Sequence, residues 1–264
     1  MKRLVFPITT LLFALTILFP VAIGAKEPPA LPETPGTYSV PGNAKLKLRV
    51  FVYNAKNGSK PAPSAPTLVC GLSDPDSSTL DGTTGWKLPA GNWTYQLNAG
   101  SVPSRITSNE FPVLATNALN TWDATDAGTN RAFLLGSSTS DNKASLNGQN
   151  IISWGRTGSS LATSYTWYYT DTRVVVENDI IFNKRYNWEW ANQSANPAGQ
   201  NNCAYENYYD AQNILTHELG HLVGLDDNYD DSYANNTLYG YGSTTEVKKN
   251  TLEAGDFNAV NSIY

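Results

Sequence analysis

The sequence predicts an α+β fold, and three observations predict it. Apolar runs that are β-branched or strictly alternating recur between residues 45 and 182, two stretches carry helical spacing, and clusters of Pro, Gly, Ser and Asp separate them. The chain has 264 residues, 41% hydrophobic and 11% aromatic, enough for a real core and unlike a disordered composition. A net charge of −5, from 18 Lys+Arg against 23 Asp+Glu and with no basic run, argues against a nucleic-acid partner. There are only two His, two Cys and one Met, so any imidazole chemistry uses those two residues.

The start of the chain reads as an address. Met1-Lys2-Arg3 is followed by an uncharged stretch, 4–25, that ends in Ala22, Gly24 and Ala25. This is the layout of a secretory signal peptide, 1–25, cleaved near Ala22 to Ala25. A retained anchor is the competing reading, and Pro7, Pro20 and the small-residue end favour cleavage. The mature chain is then expected to be extracellular, without stable membrane insertion, and monomeric. In that oxidising setting Cys70 and Cys203 are expected to form one disulfide.

Residues 26–42 are rich in Pro and Gly and read as an extended linker. Residues 45–54 read as a strand, because Leu46, Leu48, Val50 and Val52 alternate onto one face. Loop composition dominates 57–81, broken by a short apolar piece at 68–70. Residues 93–97 read as a strand. Residues 106–122 read as a helix, with Phe111, Leu114, Ala115, Ala118, Leu119 and Trp122 on one side. Strands follow at 131–135, 150–154, 165–169 and 174–182, the last apolar enough to be buried on both faces. A second helix spans 210–224, capped by Asp210, with an apolar flank of Ile214, Leu215, Leu219, Leu222 and Val223. Glycosylation sequons begin at Asn57, Asn92, Asn192 and Asn235.

Both histidines fall in the second helix, in His217-Glu218-Leu219-Gly220-His221. Positions i and i+4 share a helix face one turn apart, so two imidazoles there can hold one metal ion. Glu218 stands beside that ion without ligating it and can take a proton from a zinc-bound water as the water attacks a carbonyl. Zinc needs a third protein ligand and an open fourth position. Gly224 can end the helix in a left-handed conformation and turn the chain back, so that Asp227 returns over the ion. Asp226, Asp230 and Asp231 compete for that role, or hold calcium.

On these residues the sequence resembles the metzincin clan of zinc endopeptidases, and within it the matrixin-like secreted peptidases of prokaryotes. His217, Glu218, His221, Gly224 and Asp227 match H-E-x-x-H-x-x-G-x-x-H/D in the branch with Asp as third ligand. Residues 150–155, 177–183 and the ending 252–264 arrive in the family's order. The resemblance covers roughly 85–264 and implies a twisted, mostly parallel sheet with one antiparallel edge strand, an active-site helix and a C-terminal helix. It also implies that an extended substrate pairs with the edge strand around Leu161, Ala162 and Tyr165, a stretch that reads equally well as an ordinary edge strand; Tyr239 and Tyr241 line the pocket beside the scissile bond or pack the turn, packing being the favoured reading and Tyr241 the candidate substrate contact. The clan's methionine turn falls at 237–241, where Leu238 stands in the Met position. Leu for Met keeps volume and apolarity. An aspartate ligand in place of an imidazole is expected to make the site less electrophilic. Cys70-Gly71 faintly resembles the propeptide latch of matrixins, in which a thiolate fills the open position; the disulfide is the plainer account.

The sequence therefore reads as a signal peptide (1–25), a Pro-rich strand-bearing extension and candidate propeptide (26–84), and a catalytic domain (85–264). Its expected activity is zinc-dependent hydrolysis of protein or peptide substrates, with one catalytic zinc and a calcium ion as a second candidate cofactor. Two other readings compete. Seven Trp and 15 Tyr suit a secreted carbohydrate- or surface-binding module, and an inactive peptidase homologue would keep zinc as a structural ion.

Overall fold

The computed structural model describes residues 30–56, 67–123, 129 and 131–264. The signal peptide, its cleavage site and the Asn57 sequon lie outside the described residues. Among the described residues no helix is long and apolar enough to cross a membrane.

One sheet dominates. Its strands are β1 (Gly36–Val40), β2 (Asn43–Ala55), β4 (Trp93–Leu97), β5 (Phe133–Leu135), β6 (Asn150–Gly155), β7 (Ala162–Tyr169) and β8 (Val175–Asn183), in the spatial order β1-β2-β7-β8-β6-β4-β5. Within residues 85–264, β4, β5, β6 and β8 are parallel, and β7 is the one antiparallel strand, at their edge. This is the expected mixed sheet. Against β7 lies the β1–β2 hairpin, with β2 antiparallel to β7 in register from Leu46↔Tyr169 to Tyr53↔Ala162.

Alternation in β2 decides what each face meets. Leu46, Leu48, Val50 and Val52 pack with Ile151, Tyr165, Trp167 and Ile181 on one face of the sheet. Phe51 and Tyr53 point to the other face and join the main core with Leu161, Phe182 and Leu219. Residues 36–40 correct the linker reading, since they form β1 on the edge of β2. Flanking prolines mask the alternation of Tyr38 and Val40, whose side chains lean on the β2 cluster; a pairing made by tertiary context leaves little local signal.

Three helices are described: α1 (Glu110–Thr121), α2 (Ala211–Val223) and α3 (Ala254–Ile263). The first begins later than its apolar spacing predicts. The Thr107 backbone N–H donates to the Glu110 carboxylate at 2.8 Å and the Glu110 N–H donates to the Thr107 hydroxyl at 3.2 Å, a reciprocal cap that fixes the start. Buried Phe111, Leu114, Ala115, Ala118 and Leu119 then face the core. The Cys70–Cys203 disulfide is present, beside the pairing of β3 (Leu68–Val69) with β10 (Ala204–Tyr205). Cys70 is thus engaged away from the histidines, and a thiolate latch does not apply.

Candidate metal centre and active site

The site is built on α2. Asp210 accepts from the Asn213 backbone N–H at 3.1 Å and starts the helix. Two tryptophans clamp its backbone: Trp122 donates its indole N–H to the Thr216 carbonyl at 2.8 Å, and Trp86 donates to the His221 carbonyl at 3.1 Å. Gly220 lets the floor approach closely, since a Cβ there would sit 2.8 Å from a Leu238 methyl. Leu238 is fully buried beneath the helix.

Gly224 ends α2 at φ +108°, in the left-handed region. A Cβ at that position would also lie 2.7 Å from the Trp86 carbonyl oxygen, so both backbone and space require glycine. Gly224→Ala is expected to destabilise the fold by about 1–3 kcal/mol, read as a lower denaturation midpoint. An unchanged midpoint would contradict this account. After Gly224 the chain is held by residues 82–84: the Thr84 N–H donates to the Gly224 carbonyl at 2.8 Å and the Asp226 N–H to the Gly82 carbonyl at 2.9 Å. The return brings Asp227 back over the helix.

Asp227 Oδ1 lies 3.3 Å from His217 Nε2 and 3.5 Å from His221 Nε2. Among the described residues these three are the one group of His, Cys, Asp or Glu with ligand atoms close enough to share an ion, all within 4.8 Å. Two ligands about 2.0–2.2 Å from a tetrahedral ion stand roughly 3.3–3.6 Å apart, so the spacing suits zinc. The same three atoms are buried and have no hydrogen-bond partner. The imidazoles are also oriented for ligation. His217 Nδ1 meets the Thr237 carbonyl at 2.8 Å and His221 Nδ1 meets the Leu225 carbonyl at 3.1 Å. A proton held at each Nδ1 leaves Nε2 as the lone-pair donor. The Tyr229 hydroxyl donates to Asp227 Oδ2 at 3.1 Å and turns the other oxygen toward the imidazoles.

The competing carboxylates are engaged elsewhere. Asp226 faces Arg49 at 3.4 Å, Asp230 accepts from the Ser232 N–H, and Asp231 accepts from the Tyr239 hydroxyl. Leu161 and Ala162 are fully buried on the α2 side, whereas Tyr165 packs on the opposite face of the sheet. Tyr241 lies in β12 (Tyr241–Gly242), with rings of Tyr229 and Tyr239 at 5.3 and 5.6 Å. Three contributors escape sequence reasoning: Tyr229, Phe51 and Tyr53. The Phe51 ring stacks on His221 at 3.8 Å and 6°, and the Tyr53 ring lies 4.0 Å from His217. Nothing in residue spacing links positions 51 and 53 to 217 and 221.

The electrostatics follow from burial. Burial lowers His217 to about 4, which keeps it neutral. Burial also works against a charged His221, but the Asp227 charge beside it outweighs burial and holds its pKa raised. For Asp227 burial acts upward, and the two imidazoles overcome it and hold the carboxylate low. Both Glu218 oxygens are buried without a hydrogen-bond partner, and burial, with the Asp227 charge added, pushes its carboxyl up to about 8.

These shifts set a pH dependence. Burial likewise pushes Asp179 and Glu189 up to about 8. Above about pH 6.5 the unfolded chain has released protons that these carboxyls and His221 still hold when folded, so stability falls as pH rises. His217 has the opposite sign, but its window lies between about 4 and about 6.5, below this range. The melting temperature of chelator-treated protein is therefore expected to decline from about pH 6.5 to about pH 8; a rise would contradict these environments.

Residues 153–264 match the model of the Matrixin family. The match runs from within β6 to the end of α3 and takes in all of α2. No curated protein matches the chain.

Proposed function

We propose, from the premise that residues 153–264 belong to the matrixin family, that the chain is a secreted zinc-dependent endopeptidase with its catalytic domain in 85–264. The observation that carries this reading is the trio of buried, partnerless atoms, His217 Nε2, His221 Nε2 and Asp227 Oδ1, at tetrahedral spacing. These residues would hold the zinc. When bound, the ion supplies Lewis-acid activation of water and of the scissile carbonyl. Glu218 takes the proton from the attacking water and hands it to the leaving amine. Thr237, Leu225 and Tyr229 keep the ligands aimed, and Leu238 forms the floor. The β7 edge is the strand on which an extended peptide would add by backbone pairing. Export is supported by the layout of residues 1–25 and by the disulfide.

Metal analysis of the purified protein, with casein hydrolysis before and after chelation, tests the reading. One zinc per chain and chelator-sensitive hydrolysis restored by zinc are expected. Protein without zinc overturns it, as does zinc without hydrolysis. The aspartate ligand makes a separate prediction. Asp227→His removes a negative charge, so turnover is expected to rise and the acidic limb of the pH–rate profile to move to lower pH. A profile identical to wild type would contradict it.

A further inference from the structure

We propose that Asp81 and Asp256 share one proton, and that this buried bridge is a positioning device for the metal centre, fixing the Thr237 carbonyl against His217. The bridge stands without the zinc reading above; its effect on zinc affinity rests on that reading.

The two carboxyls are the first observation. Asp81 is 3% exposed and Asp256, in the first turn of α3, is 0% exposed. Asp81 Oδ1 accepts from the side-chain amides of Asn228 at 2.8 Å and Asn236 at 2.9 Å. Its Oδ2 is buried and has no donor. Asp256 accepts the Thr237 N–H on both oxygens, at 3.1 and 3.2 Å, and the Glu253 N–H at 2.7 Å. The Asp81 and Asp256 carboxyls lie within hydrogen-bond reach of each other, and neither has an ion pair among the described residues. Two buried carboxylates so close repel, whereas one proton between them makes a charge-assisted hydrogen bond. The backbone donors on Asp256 favour its charged form. The proton therefore sits on Asp81 Oδ2, the one oxygen of the four that lacks a donor. Burial, with the hydrogen bond and charge of Asp256 added, pushes the Asp81 carboxyl up to about 10.

Their place in the fold is the second observation. Asp256 holds the N–H of Thr237, the residue whose carbonyl meets His217 Nδ1 at 2.8 Å. Asp81 holds Asn228, which directly follows the ligand Asp227 and donates its own N–H to the Leu238 carbonyl at 3.0 Å. The proton closes a ring of contacts from α3 through Thr237 and Leu238 to Asn228 and back to Asp81. Without it the carboxylates push apart, and the Thr237 carbonyl moves with Asp256. The carboxyls around the pair add no positive charge: Glu253 caps α3 with Asp74 and Asp76 beside it, and Asp226, met by Arg49, lies against Gly82. Lys248 acts on Asp74 rather than on the pair. Nothing nearby lets both carboxyls ionise at once.

The test compares the full wild-type chain with Asp81→Asn, whose amide N–H replaces the shared proton, and with Asp81→Ala, which has no group to donate. In the infrared spectrum of chelator-treated protein at about pH 9, above the range where Asp179, Glu189, Glu218 and Glu253 release their protons, wild type is expected to show a protonated-carboxyl carbonyl band that Asp81→Asn lacks. Only wild type holds a proton that unfolding releases. The melting temperature of Asp81→Asn is therefore expected to exceed that of wild type by a margin that grows from about pH 5 to about pH 9. Zinc titration against a competing chelator is expected to give Asp81→Ala an affinity at least about tenfold below wild type and Asp81→Asn one within about threefold. The His217 ring signals in the proton NMR spectrum of metal-free protein give a readout that needs no alanine variant. They are expected to move as wild type loses the shared proton toward about pH 10, and to stay still in Asp81→Asn. No carbonyl band in wild type, or a melting margin that ignores pH, overturns the shared proton. A band accompanied by wild-type zinc affinity in Asp81→Ala, or by His217 signals indifferent to the proton's loss, overturns the positioning role. A wild-type chain that shows the band and binds no zinc supports the bridge and overturns the zinc reading.

Discussion

Glu218→Gln is expected to lower casein hydrolysis by about 10²–10⁴-fold while zinc content stays at the wild-type level. The amide keeps the shape of the carboxyl and removes its capacity to accept a proton. Both Glu218 oxygens lack protein partners, so no structural hydrogen bond is lost. Replacing an ionisable group in a fully buried position also removes a desolvation penalty, so the variant is expected to melt no earlier than wild type. Metal analysis and hydrolysis on the same preparation decide the matter. Loss of zinc would make Glu218 a ligand, and wild-type turnover would remove it from the chemistry.

Replacing both cysteines, Cys70→Ser with Cys203→Ser, is expected to destabilise the fold by about 2–5 kcal/mol, a melting temperature lower by roughly 5–15 °C. The bond spans 133 residues of sequence and restrains the unfolded chain strongly. Its folded neighbourhood is well made too. The Gly71 N–H donates to the Asn201 carbonyl at 2.9 Å and the Leu72 N–H to the Asn202 carbonyl at 3.1 Å. The bond also secures a route that matters for the site. Downstream of Cys70, the chain passes the N-terminus of α3, where the Gly255 N–H donates to the Ser77 carbonyl at 2.8 Å, before residues 82–84 hold the return of Asp227. A melting temperature within about 2 °C of wild type would show that these hydrogen bonds suffice without the covalent link.

What was legible in the sequence was whatever has a period or a fixed spacing. The long strands β2, β4, β6 and β8 fall close to their apolar runs, and α2 falls between the cap at Asp210 and the glycine at 224 as predicted. The i, i+4 histidines and the turn after Gly224 foretold which groups meet, because helix geometry and a left-handed cap act over a few residues. Long-range partnership has no such signature. Two-residue strands such as β9 (Trp188–Glu189) and β11 (Tyr209–Asp210) are too short for alternation, and they exist because their neighbours pair with them. Phe51 and Tyr53 looked like the outward side of a half-buried strand, since Leu46, Leu48, Val50 and Val52 already accounted for a core face. Both faces of β2 are in fact covered, and the second cover is the histidine helix itself.

Leu238 has a chemical consequence beyond its fit under Gly220. The chain's one methionine is Met1, and both cysteines are bonded to each other. Peroxide converts a thioether to a polar sulfoxide, and beneath a metal-ligand helix that change would wedge a dipole into the floor. A leucine floor offers the oxidant no sulfur to attack. Among the described residues, the floor of the pocket therefore has neither a thioether nor a free thiol for peroxide to convert.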